Sequence, residues 1–303
     1  MTESNSSSCP LRHHTGTANP TTFKMTDSNP LILYDISSPI QPRPYAPNPS
    51  KARFALSFKR VPFKTTWVDI LDIPDVRKGV GCPAVRKLDD GSDFYTLPML
   101  RDPTSGRILG DTFDIANYLE DMFPDSGGRL FPPDSTRTGL NYESPHKDTV
   151  FIAPLTSHQE GSKNEAYARF NMHVDATFTA HVMLVAQFTP FNANTADAVR
   201  ALFMKRAHLS SWDDICILGE AREQLKAAFK EALTLLAQLF MVHETGPYLE
   251  GKQPTYADMI VGGWLNYLSA LIPEEEWKDF RTWHSGVFAR LHDALQDNYF
   301  ECK

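Results

Sequence analysis

Residues 95–120 constrain the fold of this chain more than any other segment. Their pattern predicts a strand interrupted at Pro98, a tight turn, a second short strand, and an amphipathic helix that begins at Asp111. Because proline has no N–H to donate to a sheet, Pro98 is expected at a strand end or in a bend, and it is a candidate for a cis peptide bond. The main chain of Leu97 would then be free to pair with a ligand.

The start of this helix predicts a binding site for a small charged group. Asp111 and Thr112 are residue types that open helices, and the free N–H groups and dipole of a helix start favour an anion. The carboxylate of Asp111 can hold an ammonium group at the same place. A carboxylate beside an ammonium is the amino acid end of a molecule, so a ligand with such an end is expected here.

The segments around this block predict a small α/β domain. Strands are expected over 31–35 and 63–70, with a helix over 49–60 between them. Together with the 95–120 block they give the order β-α-β and then β-β-α, which is thioredoxin-like, with a mixed four-stranded sheet. Residues 74–94 contain several glycines and prolines, so a helix there is expected to be short or distorted.

The second half of the chain predicts an all-helical bundle. One apolar stripe recurs at spacings of three and four, and it predicts a helix of about six turns. The stripe comprises Leu225, Phe229, Leu233, Leu236 and Phe240. Further helices are expected over 162–187, 195–208, 255–271 and 283–296.

Composition divides the chain into four parts. Residues 1–29 are rich in Ser, Thr, Asn and Pro, and they are expected to form a disordered tail because they bury too little apolar surface. A thioredoxin-like domain over 30–124 is followed by a linker and insertion over 125–161, which is rich in proline and glycine. The helical domain is expected over 162–303.

Composition also excludes several classes of partner. The chain of 303 residues has a net charge of -7 and no long cluster of Lys and Arg, which argues against nucleic acid or an anionic membrane. The four cysteines lack metal-ligand spacing, so neither a metal site nor a disulfide framework is expected. No apolar run approaches ~18 residues and no signal peptide is evident, so a cytosolic protein with small ligands is expected.

Three separate motifs carry a resemblance to a known family. They are Pro-Asn-x-x-Lys-x-Arg-x-Ala-Leu within residues 46–56, the block over 96–120, and residues 251–258. In the last motif Thr255 and Asp258 have the spacing that caps a helix reciprocally. In this order the motifs resemble the glutathione transferases, in particular the fungal transferases related to bacterial β-etherases. The resemblance implies a homodimer, glutathione as cosubstrate, and a hydrophobic substrate site beside the thiol.

The same resemblance assigns the residues that bind the tripeptide. In the family, main-chain bonds at a Leu-Pro bend hold the cysteinyl unit, which implies Leu97 and Pro98 in this chain. An acid and a hydroxyl at the next helix start hold the γ-glutamyl group, which implies Asp111 and Thr112. These are the residues that the strand and helix pattern already places beside a ligand.

The resemblance breaks at Ala46. Relatives commonly have Ser or Cys before the Pro-Asn pair, and alanine supplies neither the hydrogen bond nor the nucleophile. Since a residue before proline is disfavoured inside a helix, Asn48 is expected as the N-cap and Pro49 as the first helical residue. The first exposed amide is then that of Ser50, so Asn48 and Ser50 are the candidate groups that stabilise the glutathione thiolate. The alternative is that Asn48 only caps the helix.

Aromatic side chains predict an apolar acceptor site. Tyr45, Phe170 and Trp264, together with Phe178 and Tyr267, either line a pocket for planar substrates or pack in the core. The insertion either shapes or covers that pocket or forms a disordered surface loop.

These observations predict a glutathione transferase that conjugates, or displaces groups from, small hydrophobic and aromatic electrophiles. Two alternatives remain open. Ala46 is also expected in a non-catalytic binder of aromatic metabolites in which glutathione is a structural ligand. A biosynthetic isomerase or cyclase that uses glutathione would have the same fold and the same tripeptide site.

Overall fold

The computed structural model describes residues 29–40, 44–132, 139–156, 161–243 and 245–300. Nearly all of the predicted tail, residues 1–29, lies outside these ranges. Within them the chain folds into an α/β unit followed by a helical unit, as the sequence predicts. No helix in these ranges has the length and apolar composition that crossing a membrane requires.

The first unit is built on a mixed four-stranded sheet. Its elements are β1 (Leu31–Ile36), α1 (Pro47–Phe58), β2 (Phe63–Val68), α2 (Ile73–Gly79), β3 (Arg86–Lys87), β4 (Asp93–Phe94), β5 (Met99–Arg101), β6 (Ile108–Leu109) and α3 (Thr112–Met122). The sheet order is β2-β1-β5-β6, with β1 parallel to β2 and antiparallel to β5, and β6 antiparallel to β5. The predicted thioredoxin-like arrangement is therefore confirmed.

The segment 74–94 is more ordered than its glycines and prolines suggest. It contains most of the short helix α2, as predicted, and a hairpin of β3 and β4 that the sequence analysis does not predict. Each of these strands has two residues, so neither shows the alternation of apolar and polar side chains that marks a strand in a sequence.

Pro98 lies directly before β5, at the point where the strand begins. The Leu97–Pro98 peptide bond is cis, and Pro98 is therefore in the bend that the sequence predicts. Leu100 of β5 is fully buried and pairs with Leu33 of β1, which is fully buried as well. The core thus anchors the strand immediately after the bend.

The second unit contains eight helices within the described residues. They are α4 (Glu165–Ala180), α5 (Met183–Ala186), α6 (Ala196–Ala207), α7 (Gly219–Ala232), α8 (Thr234–Phe240), α9 (Tyr256–Leu271), α10 (Glu274–Phe280) and α11 (Val287–Tyr299). Two predicted helices are each divided, since 162–187 becomes α4 and α5, and the six-turn helix becomes α7 and α8. Neither break contains glycine or proline, so the apolar periodicity gives no indication of it. Helix α10 is an element that the sequence analysis does not predict.

Helix α9 joins the two units. Gly263 of α9 lies so close to the start of α1 that a Cβ atom there would be 2.5 Å from the Pro47 carbonyl oxygen. In the first turn of α9, the Tyr256 hydroxyl donates to the Thr112 carbonyl oxygen at 2.9 Å. The helical unit therefore contacts both helix starts, of α1 and of α3, to which the sequence assigns ligand binding.

Candidate functional site

The bend before β5 presents main-chain groups without partners. Neither the N–H nor the C=O of Leu97 has a hydrogen-bond partner among the described residues. Its side chain is buried in a cluster with Tyr34, Val68 and Met99, which fixes the orientation of this peptide. Leu97 therefore offers one donor and one acceptor, as the sequence analysis expects of a free main chain at this bend.

Helix α3 starts at Asp111 and Thr112, as predicted. Asp111 is the N-cap, and its Oδ1 accepts a hydrogen bond from the Phe113 amide at 2.8 Å. Its Oδ2 accepts a hydrogen bond from the Thr156 hydroxyl at 3.1 Å. The amide and hydroxyl of Thr112 have no hydrogen-bond partner in the described part of the chain. At this helix start the carboxylate can accept from the ammonium of an amino acid, and the N–H and hydroxyl can donate to its carboxylate.

Arg77 joins the bend to the start of α3. This fully buried side chain of α2 donates from Nη1 to the carbonyl oxygens of Thr96 at 2.5 Å and of Gly110 at 3.2 Å. Thr96 precedes Leu97 and Gly110 precedes Asp111 in the chain. One guanidinium group therefore fixes the spacing between the two halves of the candidate site.

The remaining donors of Arg77 are also used. Its Nε donates to the Cys82 carbonyl oxygen at 3.4 Å, and its Nη2 donates to Cys82 Sγ at 3.1 Å and to the Pro83 carbonyl oxygen at 2.5 Å. A Cβ atom at Gly110 would overlap Arg77 Nη2, so any larger residue here would displace the guanidinium from these bonds. Nothing in the local sequence of α2 indicates which carbonyl groups Arg77 contacts, so its role is not predictable from the sequence.

The start of α1 differs from the prediction. The N-cap is Ala46, without a side-chain hydrogen bond, and Pro47 is the first helical residue. Asn48 lies inside the first turn, so its assignment as the N-cap is wrong. The N–H groups of a first helical turn have no partners within the helix, so Pro47 and Pro49 both fit there. That fit outweighs the preference of Asn48, as a residue before proline, for an extended backbone.

Ser50 is bonded within the protein rather than exposed. Its amide donates to the Ala46 carbonyl oxygen at 3.1 Å, and its hydroxyl donates to the same oxygen at 2.8 Å. The hydroxyl also accepts a hydrogen bond from Asn266 of α9 at 2.9 Å, and the residue is fully buried. The prediction of an exposed amide at Ser50 is therefore wrong. The half-buried Asn48, in contrast, makes no side-chain hydrogen bond to the described residues.

A buried ion pair lies at the first turn of α1. Lys51 Nζ donates to Asp175 Oδ1 at 2.5 Å and to Asn171 Oδ1 at 3.0 Å, both on α4. Trp264 Nε1 donates to the same Asp175 oxygen at 2.7 Å. Burial lowers the pKa of Lys51, and the attraction of Asp175 opposes that change. Trp264, a predicted acceptor-site residue, therefore bonds within the helical unit to the carboxylate that pairs with Lys51.

Arg86 lies between the first unit and the insertion. Its Nη2 donates to Thr96 Oγ1 at 3.0 Å, and its Nη1 donates to the Pro154 carbonyl oxygen at 2.8 Å. Burial lowers the pKa of Arg86, and the attraction of Asp111 and Asp175 opposes that change. A cavity of about 300 Å³ adjoins this side chain, lined by Ala84, Val85, Arg86, Lys87, Pro154 and Leu155.

Four of the five predicted aromatic residues form a row of ring contacts. Centroid distances are 6.4 Å for Tyr45 and Tyr267, 6.0 Å for Tyr267 and Trp264, and 5.3 Å for Trp264 and Phe178. Phe170 is fully buried and packs elsewhere in the core. Burial raises the pKa of Tyr45 far above its usual value and that of Tyr267 to about 12, so both phenols stay neutral.

Comparison with known proteins gives matches to both units. The family described as glutathione S-transferase, N-terminal domain, matches residues 45–122, and glutathione S-transferase, C-terminal domain, matches residues 170–299. A glutathione S-transferase-like protein of Aspergillus flavus, ustS, is 22% identical over 286 residues, which are 89% of this chain and 92% of that protein. The N-terminal match contains α1, the bend at Pro98 and α3.

Two solved structures have the same fold. A glutathione S-transferase of Ceriporiopsis subvermispora in complex with glutathione has a TM-score of 0.72 and 25% identity, covering 89% of this chain and 98% of that chain. The β-etherase LigF of Sphingobium sp. strain SYK-6 has a TM-score of 0.52 and 18% identity, covering 88% of this chain and 94% of that chain.

Proposed function

Since this chain belongs to the glutathione S-transferase family, whose N- and C-terminal domains match it in order, we propose that it transfers glutathione to small hydrophobic electrophiles. One observation carries the proposal: the Leu97 main chain has no partner among the described residues, and Arg77 bonds to the carbonyl oxygens of Thr96 beside it and of Gly110 before α3. A relative of the same fold with bound glutathione supports it.

In this proposal the tripeptide spans the bend and the start of α3. The N–H and C=O of Leu97 pair with the main chain of the cysteinyl unit. The carboxylate of Asp111 holds the γ-glutamyl ammonium, and the amide and hydroxyl of Thr112 donate to the γ-glutamyl carboxylate. The dipole of α3 stabilises that negative charge further.

The thiolate is proposed to lie at the first turn of α1. Because Pro47 and Pro49 have no N–H, Asn48 supplies the main-chain donor of this turn, and its side-chain amide supplies a second. Lowering the thiol pKa by one unit requires about 1.4 kcal/mol, which one charge-assisted hydrogen bond provides. The thiolate then attacks an electrophilic carbon, a C–S bond forms, and the displaced group leaves with the electron pair of the broken bond.

The acceptor is proposed to be aromatic and to bind beside Tyr45, Tyr267 and Trp264, whose rings form the row at the start of α1. Flat apolar rings favour planar apolar ligands. A homodimer and a location in the cytosol remain predictions from the sequence.

Ala46 favours a second candidate, a non-catalytic protein that binds glutathione and an aromatic metabolite. Ultraviolet titration of the bound thiol separates the two functions. A thiol pKa well below its value in free glutathione supports the transferase, and an unchanged value supports the binder. Turnover of aryl halides, isothiocyanates and aryl ethers with glutathione then tests the chemistry directly.

Replacing Asp111 by asparagine is expected to weaken glutathione binding about tenfold or more, because a hydrogen bond to a charged group contributes about 1.5–3 kcal/mol. Asparagine is as good an N-cap as aspartate, so α3 should remain folded. Isothermal titration calorimetry measures the change. Asp121→Asn, at the exposed carboxyl end of α3, is the control and should bind like the wild type. Equal affinity of Asp111→Asn and Asp121→Asn would remove the γ-glutamyl assignment.

Replacing Ala46 by serine is expected to raise kcat/KM for aryl halides about tenfold, because the hydroxyl adds one charge-assisted hydrogen bond to the thiolate. Before glutathione binds, the same hydroxyl can cap the Asn48 amide, which has no partner among the described residues, so the free energy of unfolding of the free protein should rise by about 0.5–1 kcal/mol. Ala46→Gly adds no hydroxyl and should leave the bound thiol pKa unchanged. If serine leaves both the rate and the thiol pKa unchanged, the thiol does not lie at this helix start.

A further inference from the structure

Part of the insertion crosses the candidate tripeptide site. We refer to residues 151–156 as the strap. Thr156 Oγ1 donates to Asp111 Oδ2 at 3.1 Å, and the Pro154 carbonyl oxygen accepts from Arg86 Nη1 at 2.8 Å. With the strap in this position only 8% of the surface of Asp111 is exposed, so the carboxylate is closed to a ligand.

The strap contacts have the chemistry of an amino acid end. The Thr156 hydroxyl donates to the Asp111 carboxylate, to which a ligand ammonium group would otherwise donate. The Pro154 carbonyl oxygen accepts from the Arg86 guanidinium, from which a ligand carboxylate would otherwise accept. Arg86 Nε is buried without a hydrogen-bond partner in the described residues, so the guanidinium has an unused donor for a second carboxylate oxygen.

We propose that the strap is a placeholder that binds Asp111 and Arg86 in the free protein and is displaced when glutathione binds. The inference rests on the proposed function, because it requires the same tripeptide site. Arg86 then anchors the γ-glutamyl carboxylate, together with the amide and hydroxyl of Thr112, after the strap has left. The ligand replaces the two neutral partners by charged ones, so each contact gains the attraction of an opposite charge in addition to its hydrogen bond.

The strap is held by few contacts. No main-chain hydrogen bond to the strap other than that from Arg86 to Pro154 is present in the described part of the chain. Ile152 exposes 58% of its surface, and the other large apolar side chains of the strap, Phe151 and Leu155, are only half-buried. A segment with few hydrogen bonds and incomplete burial opens at a lower free-energy cost than the core. Displacement by a ligand is therefore feasible without unfolding the rest of the protein.

The placeholder has a measurable consequence for affinity. When only a fraction of molecules has an open site, the apparent Kd equals the intrinsic Kd divided by that fraction. A substitution that weakens the strap raises the open fraction and tightens binding. The gain should appear in the association rate, because the bound state no longer contains the strap contacts.

Thr156→Val removes the hydroxyl donor and keeps the shape of the side chain. It is expected to tighten the binding of reduced glutathione about tenfold, because the closed state loses a hydrogen bond to a charged group, and the gain should appear in the association rate. Thr149→Val, at an exposed position of the same insertion, is the matched control and should bind like the wild type. Calorimetry gives the affinity, and stopped-flow fluorescence gives the rate.

Two further variants test the two halves of the inference. Replacing residues 152–156 by Gly-Ser-Gly-Ser-Gly should tighten binding at least as much as Thr156→Val. Arg86→Gln loosens the strap but also removes the carboxylate anchor, so it is expected to weaken binding about tenfold. Tighter binding by Arg86→Gln would show that Arg86 serves the strap alone and would overturn its role as an anchor.

The outcomes separate this inference from the proposed function. If the wild type binds glutathione, and Thr156→Val and the Gly-Ser variant bind it equally well or more weakly, the placeholder is overturned and the proposed function stands. No binding by the wild type or by either strap variant overturns both. Binding seen only when the strap is altered supports both.

Discussion

Replacing Arg77 by methionine is expected to lower the free energy of unfolding by about 4 kcal/mol, because four carbonyl groups would each lose a charged donor at about 1 kcal/mol or more. These are the carbonyl oxygens of Cys82, Pro83, Thr96 and Gly110. Any folded variant should bind glutathione more than about tenfold more weakly, because the bend and the start of α3 are no longer held at a fixed spacing.

Urea unfolding followed by tryptophan fluorescence measures the stability of this variant, and calorimetry measures its affinity. Lys78→Met, at the next residue of α2 but exposed, is the matched control and should change stability by less than about 0.5 kcal/mol. Arg77→Lys should fall between the two, since an ammonium has three donors and lacks the planar fork. If Arg77→Met binds glutathione like the wild type, Arg77 does not set the spacing of the site.

The parts of the site that the sequence predicts are those fixed by short-range geometry. Pro98 cannot donate to a sheet, so the bend before β5 follows from one residue. Asp111 bonds to the amide of Phe113, two positions away, so the start of α3 is readable as a local cap. The apolar periodicities of the helices are equally local, which is why most helices are found near their predicted positions.

The parts that the sequence does not predict depend on contacts between distant residues. Arg77 bonds to Thr96 and Gly110, and Lys51 bonds to Asp175 on another unit. No spacing in the chain indicates such pairs. The error at Asn48 has a different origin, since two local preferences compete there. As a residue before proline, Asn48 favours an extended backbone, but the first helical turn accommodates both Pro47 and Pro49, and the helix therefore begins before Asn48.

Replacing Asp258 by alanine is expected to lower the free energy of unfolding by about 3 kcal/mol, because two buried amides would lose their acceptor at about 1–3 kcal/mol each. Asp258 is fully buried in the first turn of α9. Its Oδ1 accepts from the Leu249 amide at 2.7 Å, and its Oδ2 accepts from the Thr255 amide at 2.7 Å. Thr255→Ala keeps the carboxyl group and should cost only about 1 kcal/mol.

The cost of losing Asp258 is expected to depend on pH. Burial raises the pKa of Asp258 from 3.8 to about 7. Between these values the native state holds a proton that the unfolded state has released, so the stability that this group contributes falls as the pH rises through that range. Urea unfolding should therefore show a larger difference between wild type and Asp258→Ala near pH 5 than near pH 8. Asp297→Ala, at an exposed position of α11, should show no such dependence. A difference that is equal at both pH values, or larger near pH 8, would mean that burial does not hold the proton on Asp258.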